Sequence, residues 1–190
     1  MRPPKPWSRP SGVTLIEMAI TVTILGILAA VALPAFNNVI VANRLAAGSN
    51  EMVGSLQVAR SEAIRRGSRV VVCSSTSGTA CGGTWTNGWI VFEDRNRDGA
   101  VSAGESILRT QSAISDLQVL SSTNVGTAVV FRPDGMARQG TGALLAGRIV
   151  VCKADSAVPQ NVRQIEIAAG SRIAVSRVNG SGTCTAPANS

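Results

Sequence analysis

The sequence predicts an α+β fold: a long N-terminal α-helix, membrane-spanning in its first half, packed on a C-terminal antiparallel β domain. Residues 13–36 form an apolar run with one charge, and about 20 apolar residues span a bilayer as a helix. A helical apolar stripe follows, and short β-like runs alternate with turn residues after it. The chain therefore divides into a leader (1–12), a transmembrane helix (13–36), an amphipathic continuation (37–67) and a globular β domain (68–190).

The amphipathic continuation carries apolar residues at helical spacing, which line one face: Leu45, Met52, Leu56, Ala59 and Ala63. Pro34 should bend the helix, and Gly48 and Gly54 should loosen it. Gly67 follows a basic pair, as expected where a helix ends. Eight runs beyond it predict strands: RVVVCS, WIVFED, SILRT, LQVL, AVVFR, RIVVC, RQIEIA and RIAVSR.

Composition argues against catalysis. The chain has 190 residues, a formal net charge of +7, three Trp, three Phe, and no Tyr or His. Without histidine the most common general base and metal ligand is missing, and the sequence has no nucleophile elbow, phosphate loop or zinc-type cysteine pair. We therefore expect no enzymatic activity and no cofactor.

Glu17 is the single charge in the apolar run. A lone carboxylate in lipid costs at least ~2.5 kcal/mol, so it marks a functional site that needs a positive partner. Residues 1–12 are basic and lack acids, as in a cytoplasmic leader, and predict processing between Gly12 and Val13. A local interpretation also fits, because Thr14 and Glu17 have the spacing of a helix capping box. The two roles are compatible.

The stretch GVTLIEMAITVTILGILAAVALPAF resembles the type IV prepilin signal. Three further segments, ARSEAIRRGSRVVVC, TNGWIVFEDRNRDG and VVFRPDG, are similar to FimT/GspH-type minor pilins and pseudopilins. The resemblance to the type IV pilin superfamily implies cleavage after Gly12 by prepilin peptidase and methylation of the new terminus. It also implies that Glu17 pairs with the terminal amine of a neighbouring subunit, in an assembly helix that includes Pro34. Val13 departs from the pattern, in which phenylalanine or methionine is usual.

The function that this resemblance implies is that of a FimT-like minor pilin, which helps to assemble or prime a type IV pilus. Its partners would be other pilin or pseudopilin subunits, prepilin peptidase and the bacterial inner membrane. The β domain would lie in the periplasm before the subunit enters a pilus or pseudopilus. Two alternatives stay open: an H-type minor pseudopilin of a type II secretion system, and a DNA receptor for natural transformation.

The four cysteines are expected to form disulfides, because all of them lie in the segment assigned to the oxidising periplasm. Four cysteines allow three pairings. We favour Cys73 with Cys81 and Cys152 with Cys184, since each bond then restrains a segment poor in apolar residues.

One loop matches the calcium-binding pattern D-x-[DN]-x-[DN]-G-x5-E through Asp94, Asn96, Asp98 and Glu105. The β-like flanks and two arginines inside the loop favour an ordinary turn over a metal site.

The C-terminal region is basic and includes Arg163, Arg172 and Arg177, which could contact DNA phosphates. Some FimT-type pilins bind DNA through a G-R-x-R motif in this region, whereas residues 170–173 read Gly-Ser-Arg-Ile here. The plainer interpretation is a solvated basic face.

Overall fold

The computed structural model describes residues 12–139 and 142–190, apart from the side chains of residues 31 and 33–35. The predicted leader thus lies outside the described residues except for Gly12. The chain forms two compact units, with the boundary after Val39, and the second unit is Ile40–Ser190. One helix, α1 (Leu15–Arg66), contributes residues to both units.

The second unit contains the antiparallel β structure that the sequence predicts. Its strands within the described residues are β1 (Arg69–Ser74), β2 (Gly88–Asp94), β3 (Ile107–Ser112), β4 (Gln118–Ser121), β5 (Ala128–Phe131), β6 (Ala137–Arg138), β7 (Gly147–Cys152), β8 (Val162–Ile167) and β9 (Ile173–Val178). All eight predicted runs coincide with strands. The sequence did not predict β6, because two residues are too few to show an alternating pattern.

The strands form two sheets. One has five strands in the order β3-β2-β1-β5-β6, and the other has four in the order β4-β7-β8-β9. Every strand pair in these sheets is antiparallel. Together with the helix that packs on them, the sheets confirm the predicted α+β fold class.

The core of the second unit lies between the helix and the inner faces of both sheets. The predicted apolar stripe is fully buried, with 0% exposure at each position: Leu45, Met52, Leu56, Ala59 and Ala63. Its partners come from both sheets and include Trp89 and Phe131 from one and Ile149 and Ile165 from the other. The indole nitrogen of Trp89 donates to Ser55 Oγ over 2.9 Å, so this large core residue leaves no unpaired donor.

Gly48 has a packing role that the sequence did not predict. A Cβ atom at this position would lie 3.1 Å from Ile114 Cδ1 and 3.2 Å from Leu117 Cδ1, so the absence of a side chain permits close packing of the helix against the segment between β3 and β4. Gly67 behaves as expected: its φ of +61° is a left-handed conformation, which suits glycine just after a helix end.

The backbone of Pro34 is part of α1, and its side chain lies outside the description. Among the described residues, no helix has both the length and the hydropathy of a membrane-crossing segment.

Candidate functional site

The predicted processing point lies just before α1. Gly12 and Val13 are both exposed and non-helical, and Val13 has 68% of its surface accessible. No described atom lies within 4 Å of a Cβ built on Gly12. The peptide bond between these residues is therefore accessible and is not held by the helix.

The first turns of α1 display large apolar side chains. Exposure is 88% at Leu15, 68% at Ile16 and 62% at Leu28. The other large exposed apolar residues of the segment before Ala29 are Met18, Ile20, Val22, Ile24, Leu25 and Ile27. Such a surface gains about 25 cal/mol for each Å² removed from water, so it favours a covering of lipid or of other apolar helices.

Glu17 completes the capping box. The amide of Glu17 donates to Thr14 Oγ1 over 3.3 Å, and the amide of Thr14 donates back to Glu17 Oε2 over 3.3 Å. Two amides that lack partners within the helix are thereby satisfied. The described polar contacts of this carboxylate are all with Thr14 and engage Oε2 alone, which leaves Oε1 available to a further partner.

Both disulfides have the pairing that the sequence favours. Cys73 is bonded to Cys81, and Cys152 to Cys184. The first bond closes the loop after β1, and the second ties the C-terminal segment to the end of β7. No free cysteine is present among the described residues.

The three tail arginines do not form one cluster. Arg163 on β8 is paired in register with Arg177 on β9, which places both residues on the same face of the sheet. Arg172 lies beyond the opposite end of β9, about 16 Å from Arg177 at the usual rise per residue. The tail therefore offers a pair of arginines and a distant third.

Arg163 is the unusual member of the pair, because its side chain is buried although no carboxylate is paired with it among the described residues. Its Nη1 donates to the carbonyl oxygen of Gln160 over 2.7 Å. Burial, and secondarily the charge of Arg177, lowers the pKa of this guanidinium. A negative group that approached the pair would favour the charged form of Arg163 and so oppose this lowering of its pKa.

Asp94, Asp98 and Glu105 converge at one end of the five-stranded sheet. One carboxylate oxygen from each lies within 4.8 Å of the others. The amide nitrogen of Asn96 donates to Glu105, while its side-chain amide donates to Asp98 Oδ2 over 2.7 Å. The loop bends through these contacts, and it brings together the acids of the calcium-type pattern.

Sequence reasoning missed a charged cleft of about 570 Å³ beside this loop. Its lining includes Arg66, Arg69, Arg95, Arg132 and the carboxylate of Glu93. Hydrogen bonding to Arg95, helped by Ser68 and Arg66, lowers the pKa of Glu93 to about 2 against the opposing effect of burial. The acid pair Glu93-Asp94 at the end of an apolar strand was the available signal, since buried acids need partners.

The comparisons with known proteins agree with this architecture. Residues 48–179 match the family described as type II transport protein GspH, and residues 7–33 match the prokaryotic N-terminal methylation motif. The fold is similar to that of the type IV minor pilin FimU of Pseudomonas aeruginosa, with a TM-score of 0.52 and 17% identity over 70% of this chain and 89% of FimU. No curated protein matches the sequence significantly.

A second similar structure is the minor pseudopilin EpsH from the type 2 secretion system of Vibrio cholerae. The TM-score is 0.51, and the identity is 10% over 70% of this chain and 97% of EpsH. A long N-terminal helix that packs on antiparallel sheets is the fold that this chain shares with FimU and EpsH, and a methylation motif overlaps the start of that helix. Because the family match covers more than two thirds of the sequence, this chain belongs to the type II transport protein GspH family.

Proposed function

We propose that this chain is a FimT-like minor pilin that helps to assemble or prime a type IV pilus. In this proposal prepilin peptidase cuts after Gly12, and residues 13–36 hold the subunit in the inner membrane until it enters the filament. The observation that carries the proposal is the exposed apolar surface at the start of α1, with Glu17 as the only charge between Val13 and Phe36. The role is one of docking and involves no chemical step.

Glu17 would determine the axial position of the subunit in the filament. A carboxylate among apolar helices is costly unless a cation lies beside it, and cleavage after Gly12 gives each subunit a new terminal amine. The amine of a neighbouring subunit could contact Oε1, because the capping contacts engage Oε2. The cap and the intersubunit pair can therefore coexist.

Two substitutions separate assembly from capping. Glu17→Gln removes the charge, while Thr14→Ala removes the capping hydroxyl and keeps the carboxylate. We expect Glu17→Gln to abolish recovery of the subunit in sheared pili, and Thr14→Ala to lower helix stability by about 1 kcal/mol with incorporation preserved. Membrane levels of both variants, measured by immunoblot, show whether the subunit accumulates. Equal incorporation of the two variants would contradict the assembly role of Glu17.

A role as an H-type pseudopilin in type II secretion is the second candidate, and the family match favours it. The same helix and the same carboxylate would then serve a short periplasmic pseudopilus. A deletion strain distinguishes the two: loss of twitching motility with normal protein secretion supports the pilus, and the reverse supports the secretion system.

A DNA-binding role is supported by one observation, the buried Arg163 beside Arg177 without a paired carboxylate. DNA phosphates would supply the missing negative charge, and such binding weakens steeply as salt rises. Because Arg172 lies at the other end of β9, Arg177→Gln should weaken duplex binding and reduce its salt dependence, while Arg172→Gln should have a smaller effect. Binding by Arg177→Gln equal to that of the unmodified protein, at two salt concentrations, would exclude this role for the pair.

A further inference from the structure

The loop between β2 and β3 contains an acidic cluster that an ordinary turn does not require. Asp94, Asp98 and Glu105 each place a carboxylate oxygen within 4.8 Å of the other two. Three negative charges at this separation repel one another unless a cation lies among them. A hairpin connection needs Asp, Asn and Gly for its backbone conformation, but it does not need three converging carboxylates.

Asp94 is the member of the cluster that points to a ligand. Its side chain is fully buried, and neither carboxylate oxygen receives a hydrogen bond from the described residues. Arg69 Nε lies 3.0 Å from Oδ2, close enough for charge attraction, but it does not have the geometry of a hydrogen bond. By contrast, the carboxylate of the preceding residue, Glu93, accepts hydrogen bonds from Arg66, Arg95 and Ser68.

The other two carboxylates are held in place by the loop itself. Asp98 Oδ1 accepts from the amide of Ala100 over 2.8 Å, and Glu105 accepts from the amides of Arg95 and Ser102 over 2.8 and 3.0 Å. With the side chains of Asn96 and Ser102 on Asp98 and the amide of Asn96 on Glu105, each carboxylate accepts three hydrogen bonds. A carboxylate has about four lone-pair sites, so these contacts orient the oxygens and leave about one site free on each. The loop thus resembles a set of positioned oxygen ligands.

Two guanidinium groups, those of Arg69 and Arg95, lie near the cluster. Arg95 is directed to Glu93, with a distance of 3.0 Å between Arg95 Nε and Glu93 Oε1. Arg69 is the guanidinium paired with Asp94, and its Nη1 also donates to the carbonyl oxygen of Arg97. Arg69 thus forms the one ion pair, among the described residues, with a carboxylate of the cluster, and the charges of Arg69 and Arg95 also attract Asp98 and Glu105, respectively.

We propose that Asp94, Asp98 and Glu105 bind one calcium ion. These acids occupy the first, fifth and twelfth positions of the pattern, and calcium takes six to eight oxygen ligands from carboxylates, carbonyls and water. Helical flanks are a property of one class of calcium site, and the ion itself requires oxygen atoms at suitable distances. This site does not depend on the proposed function.

Binding would stabilise the loop that covers the outer face of the five-stranded sheet. Val101, within the loop, packs against a cluster on that face that includes Val71, Ile90 and Phe92. An ion held by residues on both sides of Val101 would keep this apolar cover closed. Loops of this kind in extracellular modules bind calcium with Kd values of ~0.1–1 mM, and we expect a value in that range.

The test uses the full chain in detergent micelles, freed of calcium with a chelator and titrated with calcium chloride by isothermal calorimetry. We expect one saturable site and a raised Tm in the presence of calcium. Asp98→Asn keeps the oxygen that caps the turn but removes the charge, and it should weaken binding roughly tenfold or more. Absence of saturable heat at ~10 mM calcium, well above the expected Kd, would overturn the proposal.

Asp155→Asn is the matched control. Asp155 Oδ1 accepts from the amide of Ala157 over 2.9 Å, the same contact across two residues that Asp98 makes with Ala100. The control variant should bind calcium as the unmodified protein does. Equal loss of affinity in the two variants, or unchanged affinity in Asp98→Asn, would place the ion elsewhere and overturn the assignment.

Discussion

At the scale of single residues, Glu93 and Asp94 follow one another on β2 but have different surroundings. Glu93 is surrounded by donors from Arg66, Arg95 and Ser68, whereas Asp94 has one ion-pair contact, to Arg69. Alternation along the strand accounts for the difference, because neighbouring side chains point to opposite faces of a sheet. Glu93 is therefore held by three hydrogen-bond donors, and Asp94 by an ion pair with Arg69.

The lowered pKa of Glu93 predicts that the folded protein loses stability in acid. Its pKa is lowered from 4.5 to about 2, chiefly by the hydrogen bond from Arg95. Because the pKa is lower in the folded state, the stabilisation is complete above pH 4.5 and is lost as the pH falls towards 2. Denaturant titrations should show a free energy of unfolding that decreases across this window.

The matched comparison for this prediction is Glu93→Gln against Glu166→Gln. Glu93→Gln should flatten the pH dependence, since it removes the titrating group, whereas Glu166→Gln, at a more exposed position on β8, should leave most of it. If the free energy of unfolding changed with pH equally in Glu93→Gln and in the unmodified protein, other groups would dominate acid unfolding.

At the scale of elements, Gly48 and Gly54 lie six residues apart in α1, about 1.7 helical turns, and therefore face different surroundings. A Cβ at Gly48 would meet Ile114, Leu117 and Val151 at 3.1 to 3.2 Å. A Cβ at Gly54 would meet only Arg109 Nη1 within 4 Å among the described atoms, at 3.8 Å. Glycine thus permits close packing at position 48, whereas at position 54 there is space for a side chain that would favour the helix.

This contrast predicts different effects of the same substitution. Gly54→Ala should stabilise the protein by about 0.5–1 kcal/mol, because alanine loses less backbone entropy in a helix. Gly48→Ala should gain less or become destabilising, because its Cβ requires the neighbouring side chains to move. Urea denaturation of the two variants measures the difference, and equal stabilisation would contradict the packing role of Gly48.

The strands were predictable because each one shows an alternating or continuous apolar run between turn residues, as RVVVCS and WIVFED do. The helix stripe from Leu45 to Ala63 was predictable for the same reason, since burial of one face imposes a period on the sequence. The role of Gly48 was not predictable, because it depends on which strand packs above it. That information belongs to tertiary structure.

The candidate sites likewise include some that the sequence could reveal and some that it could not. The capping box could be found from the sequence because its two residues are three positions apart. The separation of Arg172 from Arg177 required the hairpin register, and the pairing of Arg69 with Asp94 required the register of β1 and β2. Sequence spacing reveals local contacts, while contacts between strands depend on registers that many pairings could satisfy.

At the scale of the whole molecule, the two units present different surfaces. The second unit buries apolar residues in a main core and two smaller clusters, whereas the described part of the first unit leaves large apolar side chains accessible. The second unit is therefore a complete folded domain, whereas the apolar side chains described in the first unit need to be covered. The missing cover would come from a bilayer before assembly and from neighbouring helices afterwards, as the proposed function requires.

The start of the mature chain is the property on which that account depends. Mass spectrometry of the protein purified from its native membrane should identify Val13 as the first residue, with a methyl group on its amine. Gly12→Leu should leave the chain uncut, while Gly26→Ala, within α1, should be processed normally. Since no described atom lies within 4 Å of a Cβ at either glycine, neither substitution clashes with the described fold, and lost processing would report recognition by the peptidase. A mature chain that begins elsewhere, or normal cutting of Gly12→Leu, would remove the terminal amine from the position that Glu17 needs and contradict the assembly role.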